Sequence, residues 1–155
     1  MMTPPTSAEL AAEAASLTLP RFAEAEALAL GRILTDLGLE GGLPIVIDIR
    51  SADRCFFHAA LPGSAPLNDL WARRKSATAL IFQEPSFLVG IRNREKGQTL
   101  AVHGLSEADC ADHGGAVPVR VAGVGVVAVA TVSGLPSAED HALVVRALRD
   151  LAARL

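Results

Sequence analysis

The last third of the chain has the clearest pattern of apolar runs and turn residues. Two apolar runs, within His113–Arg120 and Val121–Pro136, flank an Ala-Gly turn, and a glycine-containing loop follows them. This order predicts a strand, a tight hairpin turn and a second strand. Ser137 as the N-cap and Asp140 in the first turn predict that a helix to Leu155 comes next.

The amino-terminal pattern predicts two helices. Thr6 and Glu9 have the spacing of a capping box, which opens a helix through roughly Leu17. Pro20 suits the first turn of the second helix, and Gly38 is its expected stop. One face of that second helix is apolar at helical spacing: Phe22, Ala25, Ala29, Ile33 and Leu37.

The middle of the chain predicts a second hairpin. Leu43–Ile49 is rich in β-branched residues, turn residues follow it, and Cys55–Ala60 has the pattern of the returning strand. Thr99–His103 is expected to form a further short strand. These strands place β-structure on both sides of a helical middle segment.

Two helices are predicted in that middle segment. Asn68 is expected to cap a helix that runs from Asp69 to about Gln83 and ends before Pro85. Ser86–Arg94 predicts another short helix. Two hairpins separated by helices favour an α+β fold over a doubly wound one.

The expected architecture is a central, mostly antiparallel β-sheet flanked by helices, with helices at both termini. We expect a single domain over residues 1–155, in which a helical segment, 1–38, precedes the sheet and helices of 43–155. The chain shows no internal repeat and no low-complexity segment.

Composition adds an expectation about assembly. Half of the 155 residues are hydrophobic and 20% are charged, below the roughly 25% of an ordinary soluble domain. This shortfall predicts that part of the surface is buried in a homo-oligomer. The net charge is −3 with no basic face, so nucleic acid is not an expected partner.

The location expected from the sequence is the cytoplasm. The residues from Met1 to Ala15 lack the positive charge of a signal peptide, and no apolar run has the length of a membrane span. Cys55 and Cys110 form no disulfide framework, which is typical of reduced thiols in a reducing compartment. We therefore expect a soluble cytoplasmic protein.

Four segments carry a family resemblance: N-D-L-W-A-R-R-K (68–75), H-G-G-A-V-P-V-R (113–120), V-A-G-V-G-V-V-A-V-A-T-V-S-G-L-P (121–136) and A-E-D-H (138–141). They resemble the haem-degrading-domain superfamily, and in particular its uncharacterised cytoplasmic branch. The resemblance covers most of the chain from about Leu43 onward. It implies a profilin-like fold, assembly into ring-like homo-oligomers and kinship with proteins that bind or degrade haem.

Two glycine-containing loops define the candidate ligand site. Gly114-Gly115 allows a positive φ or a close backbone approach, and Ser133-Gly134 leads into the helix that starts near Ser137. Backbone amides and the dipole at such a helix start favour an anion. The alternatives are tight packing at a strand entry and simple capping of the helix by Ser137 and Asp140.

Basic residues on the central helix are candidates for an anion clamp. If this helix passes the glycine loop, Arg74 or Lys75 meets a ligand held there. The alternative is a solvated basic face, with Trp71 in the core or at an interface.

Histidines are the candidates for haem ligation. His113 is the best axial-ligand candidate, and His141 is expected to approach it across the pocket, unless His141 only hydrogen-bonds locally. His103, Cys110 and Asp112 lie near His113 in sequence, but their spacing matches no standard zinc pattern. No metal site is therefore expected, and haem is the one cofactor under consideration.

Catalytic motifs are weak. Ser133 lies outside a G-x-S-x-G elbow, Cys110 has no base oriented by a third group, and the chain has no P-loop or dinucleotide fingerprint. Catalytic residues cannot be named, and a non-enzymatic role is favoured. Three functions remain open: a homo-oligomeric module that binds a small anionic ligand, a haem-binding or haem-degrading protein, and a structural assembly or partner-docking protein.

Overall fold

A computed structural model describes residues 3–155, so the first two positions of the expected 1–38 segment lie outside the described part. The short 3₁₀ helix Leu100–His103 accompanies five helices and five strands, in the order α1 (Ser7–Ala15), β1 (Thr18–Leu19), α2 (Glu24–Glu40), β2 (Val46–Arg50), β3 (Cys55–Ala60), α3 (Pro66–Phe82), α4 (Ser86–Glu95), β4 (Ala116–Val121), β5 (Gly125–Ser133) and α5 (Ser137–Ala152). Within this range, no helix has the length and apolar character that a membrane crossing requires.

The five strands form one sheet in the order β1-β4-β5-β2-β3. β1 is parallel to β4, and each of the other neighbouring pairs is antiparallel. The two predicted hairpins, β2–β3 and β4–β5, lie side by side because β2 also pairs with β5. The α+β fold with a mostly antiparallel sheet is confirmed.

The two faces of the sheet bury different kinds of side chain. One face is apolar and packs on α2 and α5, which contribute side chains such as Leu30, Leu34 and Leu148 to the main core. α3 covers the opposite face, where the Ser76 and Thr131 hydroxyls lie 2.7 Å apart and are both buried. Buried polar groups of this kind are costly unless they are paired, so this layer holds α3 in one position on the sheet.

The start and end of α2 differ from the prediction. Pro20 lies outside the helix, because Thr18–Leu19 forms the edge strand β1 and α2 begins at Glu24. Gly38 does not stop the helix, which runs on to Glu40. Gly38 is buried, and a Cβ at this position would overlap the side chain of Leu61. The glycine is therefore a packing position between α2 and the segment after β3.

Other boundaries shift by a few residues. Thr99–His103 was expected to be a strand, but residues 100–103 form the 3₁₀ helix. α3 begins at Pro66, so Asn68 is not its N-cap; its side-chain oxygen accepts the backbone amide of Ala65 at 2.9 Å instead. β2 begins at Val46, three residues later than predicted.

The terminal helices also end early. α1 has the predicted Thr6 cap, which accepts the amide of Glu9 at 3.2 Å, but it ends at Ala15. α5 ends at Ala152, and Ser137 is its first helical residue rather than its N-cap.

Candidate functional site

An open cleft of about 420 Å³ lies where α3, the segment before β4 and the start of α5 meet. Its volume is in the range of small-molecule sites. Polar and apolar side chains share its walls, which are formed by Asn68, Trp71, Lys75, His113, Ser133, Gly134, Leu135, Pro136, Ser137 and Asp140. The structure therefore brings Lys75, His113 and the loop after β5 to one place.

Lys75 lies at the floor of this cleft. Its side chain leaves α3 toward the sheet, and its Nζ donates to Asp140 Oδ2 at 2.9 Å and to the Val132 carbonyl at 3.3 Å. Lys75 is 4% exposed and Asp140 is 1% exposed. Burial lowers the pKa of Lys75 and raises the pKa of Asp140, although each charge partly offsets the effect on the other.

Asp140 binds the loop that precedes α5 rather than capping the helix, whose N-cap position, Pro136, has no side-chain cap. Its Oδ1 accepts the backbone amide of Leu135 at 3.0 Å, while its other oxygen binds Lys75. Asp140 therefore ties the loop after β5 to α3. The first backbone amides of a helix have no acceptor inside it, and Ser137, the first residue of α5, lines the cleft.

Glycines allow the two loops to approach closely. Gly115 has a φ of +140°, and a Cβ there would overlap the carbonyl oxygen of Val132 and lie 2.9 Å from Lys75 Nζ. A Cβ on Gly114 would overlap the carbonyl oxygen of Ser137. These glycines lie behind the cleft wall, and their role is to let backbone segments and the Lys75 ammonium come together.

His113 is the accessible imidazole of the cleft, with 48% of its side chain exposed. Its ring packs edge-on against Trp71, with ring centroids 5.2 Å apart. Burial lowers the pKa of His113, and the nearby cations Arg94, Lys75 and Arg74 lower it further against the attraction of Asp112. The neutral imidazole is therefore the favoured form near neutral pH, and it can donate or accept a hydrogen bond.

Arg74 is not a cleft residue. Its guanidinium stacks 4.5 Å from the centre of the Trp71 ring, and its Nε donates to the Glu107 carbonyl at 2.6 Å. Arg74 therefore holds Trp71 and the loop before β4, rather than offering a fork to a bound anion. Thr78 and Asn93 hold the same loop: Thr78 Oγ1 accepts the Ala111 amide, and Asn93 Nδ2 donates to Asp112. These contacts fix the loop that carries His113.

His141 points away from the cleft and from His113. Its ring is buried, packs on Phe87 and places Nε2 2.6 Å from Glu13 Oε1 of α1. It therefore joins α5 to the amino-terminal helix. The expected approach of His113 and His141 across a pocket does not occur.

The four residues considered for a metal do not form one cluster. His103 packs against Phe82, Cys110 is a buried free thiol, and His113 Nε2 lies 4.0 Å from Asp112. Across residues 3–155, no three His, Cys, Asp or Glu side chains are arranged to hold a metal ion.

Asp140 is one of the cleft residues that the sequence-based prediction of the site did not include. Its place in the first turn of α5 was predicted, but its partner Lys75 lies 65 residues earlier. A local signal for Lys75 did exist: it lies on the same face of α3 as the small residues Ala72 and Ala79, which are both buried. A lysine on such a face has to be paired inside the fold.

The arrangement combines donors of different kinds around one small space. An ammonium at the floor, an imidazole on the wall, the Ser133 hydroxyl and the amides that open α5 can all hydrogen-bond to an oxyanion. Trp71 and Leu135 add apolar contact surface.

Comparisons with known proteins agree on the family of this chain. The model for the HbpS-like haem-degrading proteins matches residues 22–149. A UPF0303 protein of Streptomyces coelicolor is 50% identical over 94% of this chain and 93% of its own length. The crystal structure of the Ybr137w protein is 30% identical, with a TM-score of 0.88 over 96% of this chain and 88% of that one.

A structure described as a PduOC:heme complex shares the fold at 16% identity, with a TM-score of 0.69, covering 83% of this chain and 93% of that one. The family-model match spans both hairpins, α3 and most of α5. The chain belongs to the HbpS-like haem-degrading family.

Proposed function

We propose that this protein is a homo-oligomeric cytoplasmic module that binds a small anionic ligand in the cleft between Lys75, His113 and the start of α5. The observation that carries the proposal is a lysine, 4% exposed, at the floor of an open cleft that also presents an imidazole and helix-start amides. The free thiols of Cys55 and Cys110 agree with a reducing compartment.

Charge supports an anion rather than a cation. The Asp140 carboxylate is already satisfied by Lys75 and by the Leu135 amide, so it does not offer both oxygens to a ligand. The remaining polar side chains on the walls, such as His113 and Ser133, can each donate a hydrogen bond, and the dipole of α5 adds positive potential. A carboxylate or phosphate of a few heavy atoms matches this environment and the cleft volume.

The test is a titration with small anions, with sodium pyruvate, lactate and phosphate as the probes. We expect calorimetry to detect binding of at least one probe to the parent protein. His113→Ala should weaken that binding at least about tenfold, because a hydrogen bond to a charged group contributes roughly 1.5–3 kcal/mol. The variant should fold normally because His113 lies at the surface.

His103→Ala is the matched control. His103 also packs edge-on against an aromatic ring, Phe82, at the same 5.2 Å centroid distance, but it lies outside the cleft. Its loss should leave anion affinity unchanged. Equal weakening by both variants, or no binding of any probe, would contradict the proposed function.

Haem binding is the second candidate, and it rests on His113. The family, and the neighbour whose structure is described as a heme complex, make haem the relevant cofactor to consider. A half-exposed, neutral imidazole is suitable as an axial ligand. The shape of the cleft fits haem less well, because the cleft of one chain is open and partly polar and lacks a second apolar wall for the macrocycle.

Haem would therefore need a second copy of the chain to complete its site. A haem titration tests this candidate by the Soret band. We expect any shift to be weak, to disappear in His113→Ala and to persist in His103→Ala. A Soret shift that survives the loss of His113 would remove that residue as the ligand, and no shift in the parent protein would remove haem binding itself.

A further inference from the structure

The chain contains two lysines, Lys75 and Lys96, in very different surroundings. Lys96 follows the last turn of α4 and is exposed, whereas Lys75 is buried at the cleft floor. Two of the three hydrogens of the Lys75 ammonium are used by Asp140 and the Val132 carbonyl. The third is left for a group that enters the cleft.

We propose that Lys75 forms an imine with a small 2-oxo acid bound in this cleft, with Asp140 as the partner that takes and returns the proton. The proposal rests on the proposed function, because the carboxylate of the 2-oxo acid occupies the anion site. It goes further by naming the substrate class and the reacting atom.

The geometry around Lys75 supplies what an amine nucleophile needs. Asp140 Oδ2 is 2.9 Å from Nζ, within reach for direct proton transfer. Burial shifts the pKa values of Lys75 and Asp140 toward one another, which lowers the free-energy cost of moving a proton from the ammonium to the carboxylate. The absence of a Cβ at Gly115 leaves room for Nζ at this position.

The donors of the wall fit the other end of the same ligand. A 2-oxo acid has its carboxylate directly beside its carbonyl carbon. The amides that open α5, with Ser133 and His113, can bind that carboxylate while the carbonyl carbon faces the cleft floor. A monofunctional aldehyde or a plain carboxylate satisfies only one of these two sets of groups.

The step balances in atoms and charge. Asp140 first accepts a proton from the ammonium, and the Nζ lone pair then forms the C–N bond while the carbonyl π pair moves to oxygen. A proton passes from nitrogen to that oxygen, which gives the carbinolamine. Asp140 returns its proton to the hydroxyl, water leaves, and the nitrogen lone pair forms the C=N bond. The products are a protonated imine, one water molecule and the original carboxylate.

The experiment traps this imine on the intact protein. The protein is incubated with sodium pyruvate and sodium cyanoborohydride, which reduces a protonated imine to a stable secondary amine, and peptide mass mapping then locates the adduct. We expect most of the adduct at Lys75 and little at Lys96, because only Lys75 has a proton acceptor 2.9 Å from Nζ and lies in the cleft that would bind the carboxylate. Lactate, which has a hydroxyl in place of the carbonyl, should suppress the Lys75 adduct without forming one.

Two variants check the assignment. Lys96→Arg should keep the adduct, and Lys75→Arg, which preserves a positive charge beside Asp140, should lose it. If Lys75→Arg does not fold, the peptide map of the parent protein still shows whether Lys75 carries the adduct. Adduct confined to Lys96 and the amino terminus would overturn the imine proposal.

An NMR titration of His113 with pyruvate and lactate, run beside the trapping, separates this inference from the proposed function. If pyruvate and lactate both shift the His113 resonance but no Lys75 adduct forms, the anion site stands and the imine is overturned. If neither anion binds and no adduct forms, both proposals are overturned.

Discussion

Gly115, behind the cleft wall, is subject to two constraints at once. Its φ of +140° strains any residue with a side chain, and a Cβ would also overlap the Val132 carbonyl oxygen. The sequence indicated the first constraint, because Gly114-Gly115 precedes a strand. It did not reveal the second, which depends on β5 and Lys75 being adjacent in space.

Gly115→Val should therefore lower stability by more than backbone strain alone. Strain of this kind costs roughly 1–3 kcal/mol. Gly125→Val is the matched control, because Gly125 has a φ of +111° with no atom within 4 Å of an added Cβ. Chemical unfolding should show a larger loss for Gly115→Val, and equal losses would show that the overlap is unimportant.

His113 should titrate below the ordinary histidine range. Burial and the surrounding cations lower its pKa, so the NMR midpoint of its ring proton should lie under about 6.5. A bound anion favours the protonated ring and raises this pKa. Affinity for pyruvate should accordingly increase as pH falls through the range in which His113 gains its proton. An unchanged midpoint with pyruvate present would place the anion elsewhere.

A comparison of the predicted and observed helix and strand boundaries shows which features can be predicted from local sequence. Cys55–Ala60, both strands of the β4–β5 hairpin and the Thr6 cap follow from apolar runs, turn residues and capping spacing. The edge strand β1 could not be predicted from local sequence, because its two residues are too few to show a periodicity and pair only with β4. Gly38 has the composition of a helix stop but is held inside α2 by packing against Leu61.

Part of the candidate site could also be predicted from local sequence motifs. Lys75, His113, Ser133 and Gly134 line the cleft, and each lies in a motif with a local signal. Arg74 and His141 had similar signals, but tertiary contacts to Trp71 and Glu13 take them elsewhere. Only the three-dimensional fold distinguishes the two groups.

His58 links β3 to α3 in a way that should depend on pH. Its Nδ1 lies 2.7 Å from Asp48 and its Nε2 lies 2.7 Å from Asp69. Burial lowers the pKa of His58, but the hydrogen bonds to the two carboxylates outweigh this effect, and the net pKa is raised. A raised pKa in the folded state stabilises the fold below the unfolded pKa of about 6.5, and the contribution is lost as pH rises through the folded value.

His58→Gln should therefore be destabilising at about pH 6 and less so at about pH 9. Urea unfolding of the parent and the variant across this range measures the difference in free energy of unfolding. If the difference in free energy of unfolding does not shrink with rising pH, the charge of His58 does not stabilise the contact between β3 and α3.

The outer surface of α3 bears on assembly of the whole molecule. Leu67, Leu70 and Ile81 are 60%, 52% and 55% exposed and recur along the helix. Together with the low charged fraction, this apolar row favours contact with a second copy of the chain. Contact along α3 would also bring another protomer beside Trp71 and the mouth of the cleft.

Leu70→Glu should reduce the mass measured by light scattering toward the 16.1 kDa of one chain. Val124→Glu, at the 72% exposed tip of the last hairpin, is the control and should leave the assembly unchanged. A parent protein that already has the mass of one chain at micromolar concentration would contradict the oligomer.

The anion cleft is the central claim, and an amide chemical-shift titration with sodium pyruvate tests it most directly. We predict saturable shifts concentrated at Gly114, Ser133, Gly134 and Ser137, with the His113 ring moving at the same concentration. Lactate should shift the same amides, because the carboxylate is recognised independently of the carbonyl. Shifts scattered over the surface, or an unchanged spectrum at saturating pyruvate, lactate and phosphate, would contradict the claim.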